Sequence, residues 1–273
     1  MSRIADRFAL LRQKGEGALV VFITAGDPTP ELSEKLVLTI VEAGADIIEV
    51  GIPFSDPLAD GPTIQASTFR ALQQGVTPDS TLQMIARVRR QSDVPLVVMT
   101  YFNPVWQMGM ERFARQASNS GVDGVIMTDM PPDEAGEWHP VARQYGLDTI
   151  FLVAPTSTAE RMKLVARMSS GFVYCVSRTG VTGARDDLPE EVPQMLQAMR
   201  ALTDLPLCVG FGVSRPEHVR AVCRVADGAV VGSAVVSLVA EEADKGEQAV
   251  LSAVHRFVRD LKEATGGASR LVV

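Results

Sequence analysis

Cysteine is scarce in this 273-residue chain, at Cys175, Cys208 and Cys223 alone. An odd count at wide spacing argues against a disulfide framework or a cysteine-built zinc site, and a reducing cytoplasm is the expected compartment. Histidine is equally sparse. His139, His218 and His255 fall away from the expected strand ends, so they read as surface or helix residues and no histidine metal site is expected. Long apolar runs are missing: nothing approaches the roughly 18 residues of a membrane span. The opening residues, Met1 to Phe8, lack the apolar core of a secretion signal. Positive charge is in deficit, with a net charge of −7 and a pI near 5.1, which argues against non-specific nucleic-acid binding. An anionic ligand stays possible, because backbone amides can hold one on an acidic protein. There is no Ser/Gly-rich linker. The turn after the first apolar run, Thr24-Ala-Gly-Asp-Pro28, has no Gly-x-Gly-x-x-Gly pattern, which speaks against a dinucleotide-type doubly wound sheet.

What is present is regular alternation. Hydrophobic residues make up 46% and charged residues 22%, ample for a core. Eight short Val/Ile-rich runs read as strands: 19–24, 46–51, 95–101, 123–129, 149–153, 171–177, 206–211 and 228–232. They are continuous rather than alternating, as in strands covered on both faces. Between them lie segments of helical spacing: 30–43, 63–74, 78–91, 109–119, 133–145, 158–169, 189–202, 215–223 and 234–265. Thr158 and Ser214 read as N-caps, and Gly44, Gly121 and Gly146 as helix stops. Eight such repeats predict an α/β fold, a (β/α)8 TIM barrel, as a single domain over 1–273. An extra N-terminal helix over 2–14, with Ile4, Phe8 and Leu11 on one face, is suited to plug the barrel's bottom.

The most informative residue is an acid inside an apolar run, Glu49 in Asp46-Ile-Ile-Glu-Val-Gly51. Burying a carboxylate costs several kcal/mol unless it is neutralised or paired. With a period of two, Ile47, Glu49 and Gly51 share one face. If that face lines the barrel, Glu49 is an acid of raised pKa at a strand's C-terminal end, where barrel enzymes place their chemistry; a structural glutamate capping loop amides explains it equally well. Asp56 and Asp60 follow in a loop with two prolines. Each is also an ordinary turn residue, and in Asp60-Gly-Pro62 the proline reads as a helix's first position with Gly61 or Asp60 as its cap.

Glycines mark the later strand ends. Tyr174-Cys-Val-Ser-Arg-Thr-Gly-Val-Thr-Gly183 reads as a closing loop over a ligand or as a plain connector. Gly210-Phe-Gly-Val-Ser214 and Gly232-Ser-Ala-Val235 place bare amides before helices in the two strands where barrels often bind phosphate; tight turns are the simpler reading of each. Phe22, Tyr101 and Tyr174 line an aromatic pocket or belong to the core.

Residues 49–65, Glu-Val-Gly-Ile-Pro-Phe-Ser-Asp-Pro-Leu-Ala-Asp-Gly-Pro-Thr-Ile-Gln, closely resemble the signature of the tryptophan synthase alpha chain family. The likeness continues through Phe22-Ile-Thr-Ala-Gly-Asp-Pro28, Met99-Thr-Tyr-Phe-Asn-Pro104, the 174–183 string and Gly210-Phe-Gly-Val-Ser214. It implies a barrel that cleaves indole-3-glycerol phosphate to indole and glyceraldehyde 3-phosphate. It further implies that Glu49 is the principal acid–base group and that Asp60 binds the indole N–H. Tyr174 would support Glu49, and Phe22 and Tyr101 would line the indole pocket. Gly183, Gly212, Gly232 and Ser233 would hold phosphate. The loops 53–60 and 178–188 would close the site, with Thr182 meeting Asp60; the stretch after Gly183 is variable in the family. By the same resemblance this chain carries no cofactor. Its partner is a beta chain with pyridoxal phosphate, in an alpha2beta2 tetramer that passes indole through a tunnel. Two other readings are a stand-alone lyase and a regulatory module that binds the ligand without turning it over.

Overall fold

The computed structural model of the protein describes residues 2–176, 188–210 and 212–266. Among the described residues the apolar runs form nine parallel strands: β1 (Ala18–Thr24), β2 (Ile47–Gly51), β3 (Leu96–Thr100), β4 (Gly124–Met127), β5 (Asp148–Thr149), β6 (Leu152–Val153), β7 (Val173–Val176), β8 (Leu207–Gly210) and β9 (Gly228–Val231). Their order is β5-β4-β3-β2-β1-β9-β8-β7-β6. The two edges of this sheet, β5 and β6, are halves of one extended segment, 148–153. Its Ile150 N–H donates to Val125 on one side, and its Phe151 carbonyl accepts from Tyr174 N–H on the other. The sheet therefore closes on itself, and counting that segment once gives the eight strands of a (β/α)8 barrel.

Strand alternation sorts the apolar side chains into two layers. Leu19, Val21, Ile48, Val50, Leu96 and Val98 face outward and pack under the helices. Val20, Ile47, Val97, Ile126, Ile150, Phe172 and Val230 face inward. The predicted N-terminal helix spans Arg3–Lys14, capped by Ser2, and buries Ile4, Phe8 and Leu11. These three join the inward cluster, so the helix stoppers the barrel's lower end. Arg3 pairs with Asp123 at 2.9 Å and Arg7 with Asp46 at 3.7 Å.

Asp46, Asp123 and Asp227 sit just before β2, β4 and β9. Each accepts the N–H of a residue beside the neighbouring strand's start: Leu19, Leu96 and Leu207, all at 2.8 Å. Lys262, Arg89 and Arg200 respectively supply the counter-charge. Burying a carboxylate is tolerable only with such pairing, and the device sets the strands' starting register.

The helices depart from expectation in four places. Phe102–Met108 is helical, although Asn103-Pro104 reads as a turn; Pro104 lies in the first turn, where a missing N–H costs nothing. The predicted 234–265 helix is broken into Ser233–Glu242 and Glu247–Glu263, because Gly246 takes φ 95 between them. The helix expected from 133 starts only at Trp138. Ser214 is not an N-cap; Arg215 holds that position before Pro216–Val225. Thr158 does cap its helix, accepting from Arg161 N–H, and Gly121 ends another in the left-handed region. All three cysteines are buried thiols, none in a disulfide. Among the described residues, no helix is long and apolar enough to cross a membrane.

Candidate active site

The upper end of the barrel holds a cavity of about 360 Å³, within the size range of small-ligand sites. The residues above the plug layer build it by simple parity. Two positions beyond Val20, Ile47, Val97, Ile150 and Phe172 stand Phe22, Glu49, Met99, Leu152 and Tyr174, and all five line the cavity. Most of the wall is apolar; the acids, a phenol and a few hydroxyls are its exceptions.

Glu49 is 1% exposed and faces inward from β2, in register with Phe22 and Val97. Its Oε2 has no hydrogen-bond partner among the described residues. Burial, and then the charge of Asp60, raise its pKa to about 8. The reading of Glu49 as a capper of loop amides finds no support here, since a capping carboxylate would be satisfied by them.

Asp60 lines the same cavity from the loop leading to the helix Pro62–Gln73. Of the two expected caps, Gly61 rather than Asp60 sits at the N-cap. Burial raises the Asp60 pKa to about 6, against a lowering by its hydrogen bond with Tyr101. Tyr101 itself is not in the cavity wall. Its hydroxyl accepts the Ala59 N–H at 3.0 Å, and its ring lies 5.3 Å from that of Phe54. It thus fastens the Asp60 loop from behind.

Two glycines make room for the rings. A Cβ on Gly51 would lie 2.7 Å from the Phe22 ring, and one on Gly210 would lie 2.5 Å from the Tyr174 hydroxyl. Tyr174 stands near Glu49: burial and then the Glu49 charge push its phenol well above the usual range. Across the barrel, Gly212, Gly232 and Ser233 line the cavity at the ends of β8 and β9, with Ser233 opening the helix Ser233–Glu242. Thr182 and Gly183 lie outside the described residues.

The structure thus brings Phe22, Glu49, Asp60, Tyr174, Gly212, Gly232 and Ser233 around one space and sets Tyr101 one layer back. Sequence reasoning missed Met99, Thr128, Leu152 and Ser237 in the wall. Once the inward face of each strand is known, the period of two finds Met99 and Leu152. Ser237 follows from helical spacing, one turn after Ser233.

The sequence pattern of the family described as "Tryptophan synthase alpha chain" matches residues 8–266. The chain belongs to the tryptophan synthase alpha chain family. It is 49% identical over 270 residues to the tryptophan synthase alpha chain of Citrifermentans bemidjiense, across 99% of this chain and 100% of that one. The Solibacter usitatus alpha chain is 47% identical over 266 residues, across 97% and 99%. Among solved structures, the Legionella pneumophila alpha chain superimposes with a TM-score of 0.90 at 35% identity, covering 99% and 100%. A chain of the Mycobacterium tuberculosis tryptophan synthase structure gives 0.88 at 37% identity, covering 99% of both. A member of the alpha chain family is a carbon–carbon lyase of tryptophan biosynthesis, cleaving indole-3-glycerol phosphate to indole and glyceraldehyde 3-phosphate. Membership also implies a beta-chain partner that receives the indole. The stand-alone and purely regulatory readings are not favoured.

Proposed function

We propose that Glu49 and Asp60 divide the chemistry of this cleavage between them. Indole-3-glycerol phosphate lies with its ring in the apolar part of the cavity and its phosphate toward Gly212, Gly232 and Ser233. Glu49, protonated near neutral pH, donates its proton to the ring carbon that bears the glycerol chain. Positive charge then appears at the ring nitrogen, where ionised Asp60 accepts the N–H and stabilises it. The Glu49 carboxylate next takes the proton of the adjacent hydroxyl. The carbon–carbon bond breaks, its electron pair restores the neutral ring, and the former alcohol carbon leaves as an aldehyde. Glu49 ends protonated, as it began.

The observation that carries this reading is the pair of neighbouring acids whose surroundings separate their titrations, one near 8 and one near 6. That is the arrangement by which one site holds both an acid and a charged partner at neutral pH. Phe22 lies against the ring, Tyr174 supports Glu49, and Tyr101 fixes the Asp60 loop. Thr182 meets Asp60 and Gly183 holds phosphate on the family's pattern. The loops 53–60 and 178–188 close over the substrate and exclude water.

The rest of the assembly follows from the family resemblance. This chain works without a cofactor of its own, pyridoxal phosphate belongs to the beta chain, and the two associate as an alpha2beta2 tetramer in the cytoplasm. The whole chain, 1–273, is read as one barrel domain, which its single closed sheet supports. The test is indole release from indole-3-glycerol phosphate by the purified chain, with and without a beta chain. Stoichiometric glyceraldehyde 3-phosphate and an increase on adding the partner are expected. Ligand binding without indole, even with the partner present, refutes the assignment.

A further inference from the structure

Ser214 ends the turn after β8 and lines the cavity beside Gly212. Behind it is a histidine that the mechanism does not use. His218 is the third residue of the helix Pro216–Val225 and is 1% exposed. In a capping box the third helical side chain reaches back to the amide at the helix entry. Here the imidazole reaches one residue further. Ser214 N–H lies 3.3 Å from Nδ1, and the Ser214 hydroxyl lies 3.5 Å from the same nitrogen. The Arg215 guanidinium stands against Nε2 at 2.9 Å. A neutral imidazole offers one lone pair and one N–H. The guanidinium carries only N–H donors, and Arg215 Nε donates to Nε2 at 3.3 Å, so the lone pair sits on Nε2 and the proton on Nδ1, which faces the Ser214 hydroxyl as a donor. The ring is thus held between Arg215 at Nε2 and Ser214 at Nδ1.

We infer that His218 is a positioning residue, which holds the Gly212–Ser214 turn in the shape that receives the phosphate end of the substrate. The inference rests on the phosphate placement proposed above. A turn that is already fixed loses less conformational freedom when it takes up an anion. The link should therefore matter for ligands that carry a phosphate and not for those that carry only the ring.

The test compares binding of glycerol 3-phosphate and of indole to the full chain by calorimetry. His218→Phe keeps a buried ring and deletes both nitrogens. His218→Asn places an amide where Nδ1 stood. The expected result is a loss of about five- to tenfold in glycerol 3-phosphate affinity for His218→Phe, the size of one hydrogen bond. Indole affinity should stay within about twofold, and His218→Asn should recover most of the loss. Unchanged glycerol 3-phosphate binding in His218→Phe overturns the inference. So does equal loss of both ligands, which marks a merely structural role, or an Asn variant no better than Phe. If His218→Phe does not fold, His218→Leu takes its place in the same comparison. Failure of the unaltered chain to bind glycerol 3-phosphate in competition with substrate sinks the phosphate placement itself, and this inference with it.

Discussion

Replacing Glu49 with glutamine removes one titration from a side chain of nearly unchanged shape. Burial and the facing Asp60 hold the Glu49 pKa at about 8, against 4.5 for an ordinary glutamate. Between those two values the folded protein keeps a proton that the unfolded chain has released. Stability then falls as pH rises through that window, because the native state binds more protons than the unfolded one. At about 1.4 kcal/mol per pH unit, the span from pH 4.5 to pH 7 amounts to roughly 3 kcal/mol. Glutamine has no such slope. The stability of Glu49→Gln relative to the unaltered chain should therefore climb by roughly 3 kcal/mol from pH 4.5 to 7 and level off above about 8. The amide sits where Oε2 already lacks a partner among the described residues, which adds a constant offset but no slope. Urea unfolding at steps of pH, with m-values compared, measures the difference. The same preparation should cleave indole-3-glycerol phosphate about 10²–10⁴-fold more slowly, the usual size for a lost acid–base group. A stability difference flat from pH 5 to 8 refutes the reasoning: the carboxyl would then be well solvated and no acid at neutral pH.

Other substitutions probe the surroundings. The kcat/KM of the unaltered chain should rise through a pH near 6 as Asp60 ionises and fall through a pH near 8 as Glu49 does; a monotonic profile contradicts the division of roles. Asp60→Asn should lower turnover about 10²–10³-fold and move the alkaline limb to lower pH, since the charge that helps raise Glu49 is gone. A limb that stays in place means that the two acids are uncoupled. Gly51→Ala puts a methyl 2.7 Å from the Phe22 ring and should cost about 1–3 kcal/mol by overpacking together with a raised KM; normal KM shows that the ring is not part of the pocket. Phe8→Ala empties part of the barrel plug and should cost about 3–5 kcal/mol in thermal or urea unfolding. Little change there would mean that the N-terminal helix is not docked.

Much of the barrel is legible from apolar runs alone, because strands covered on both faces must be apolar throughout. The plug helix is equally legible: Ile4, Phe8 and Leu11 recur at helical spacing. The misreadings have a common cause. Asn103-Pro104 looks like a turn, yet a helix tolerates proline in its first turn. Ser214 looks like a cap, yet the structure has His218 reaching back to it. In each case the residue's local preference admits two structures, and packing chooses one.

The site divides along the same line. The linear order of residues determined that an acid stands in a buried strand, that a second acid follows eleven positions later, and that glycines end the later strands. Those are facts about composition and spacing, and the 49–65 signature makes their family plain. Tertiary structure alone decided which face of β2 looks inward, and so whether Glu49 is a desolvated acid or a satisfied one. It also moved Tyr101 from the pocket wall to a brace behind Asp60. The physical reason is that desolvation and mutual charge depend on distances between residues far apart in the chain, and those distances exist only once the sheet has closed.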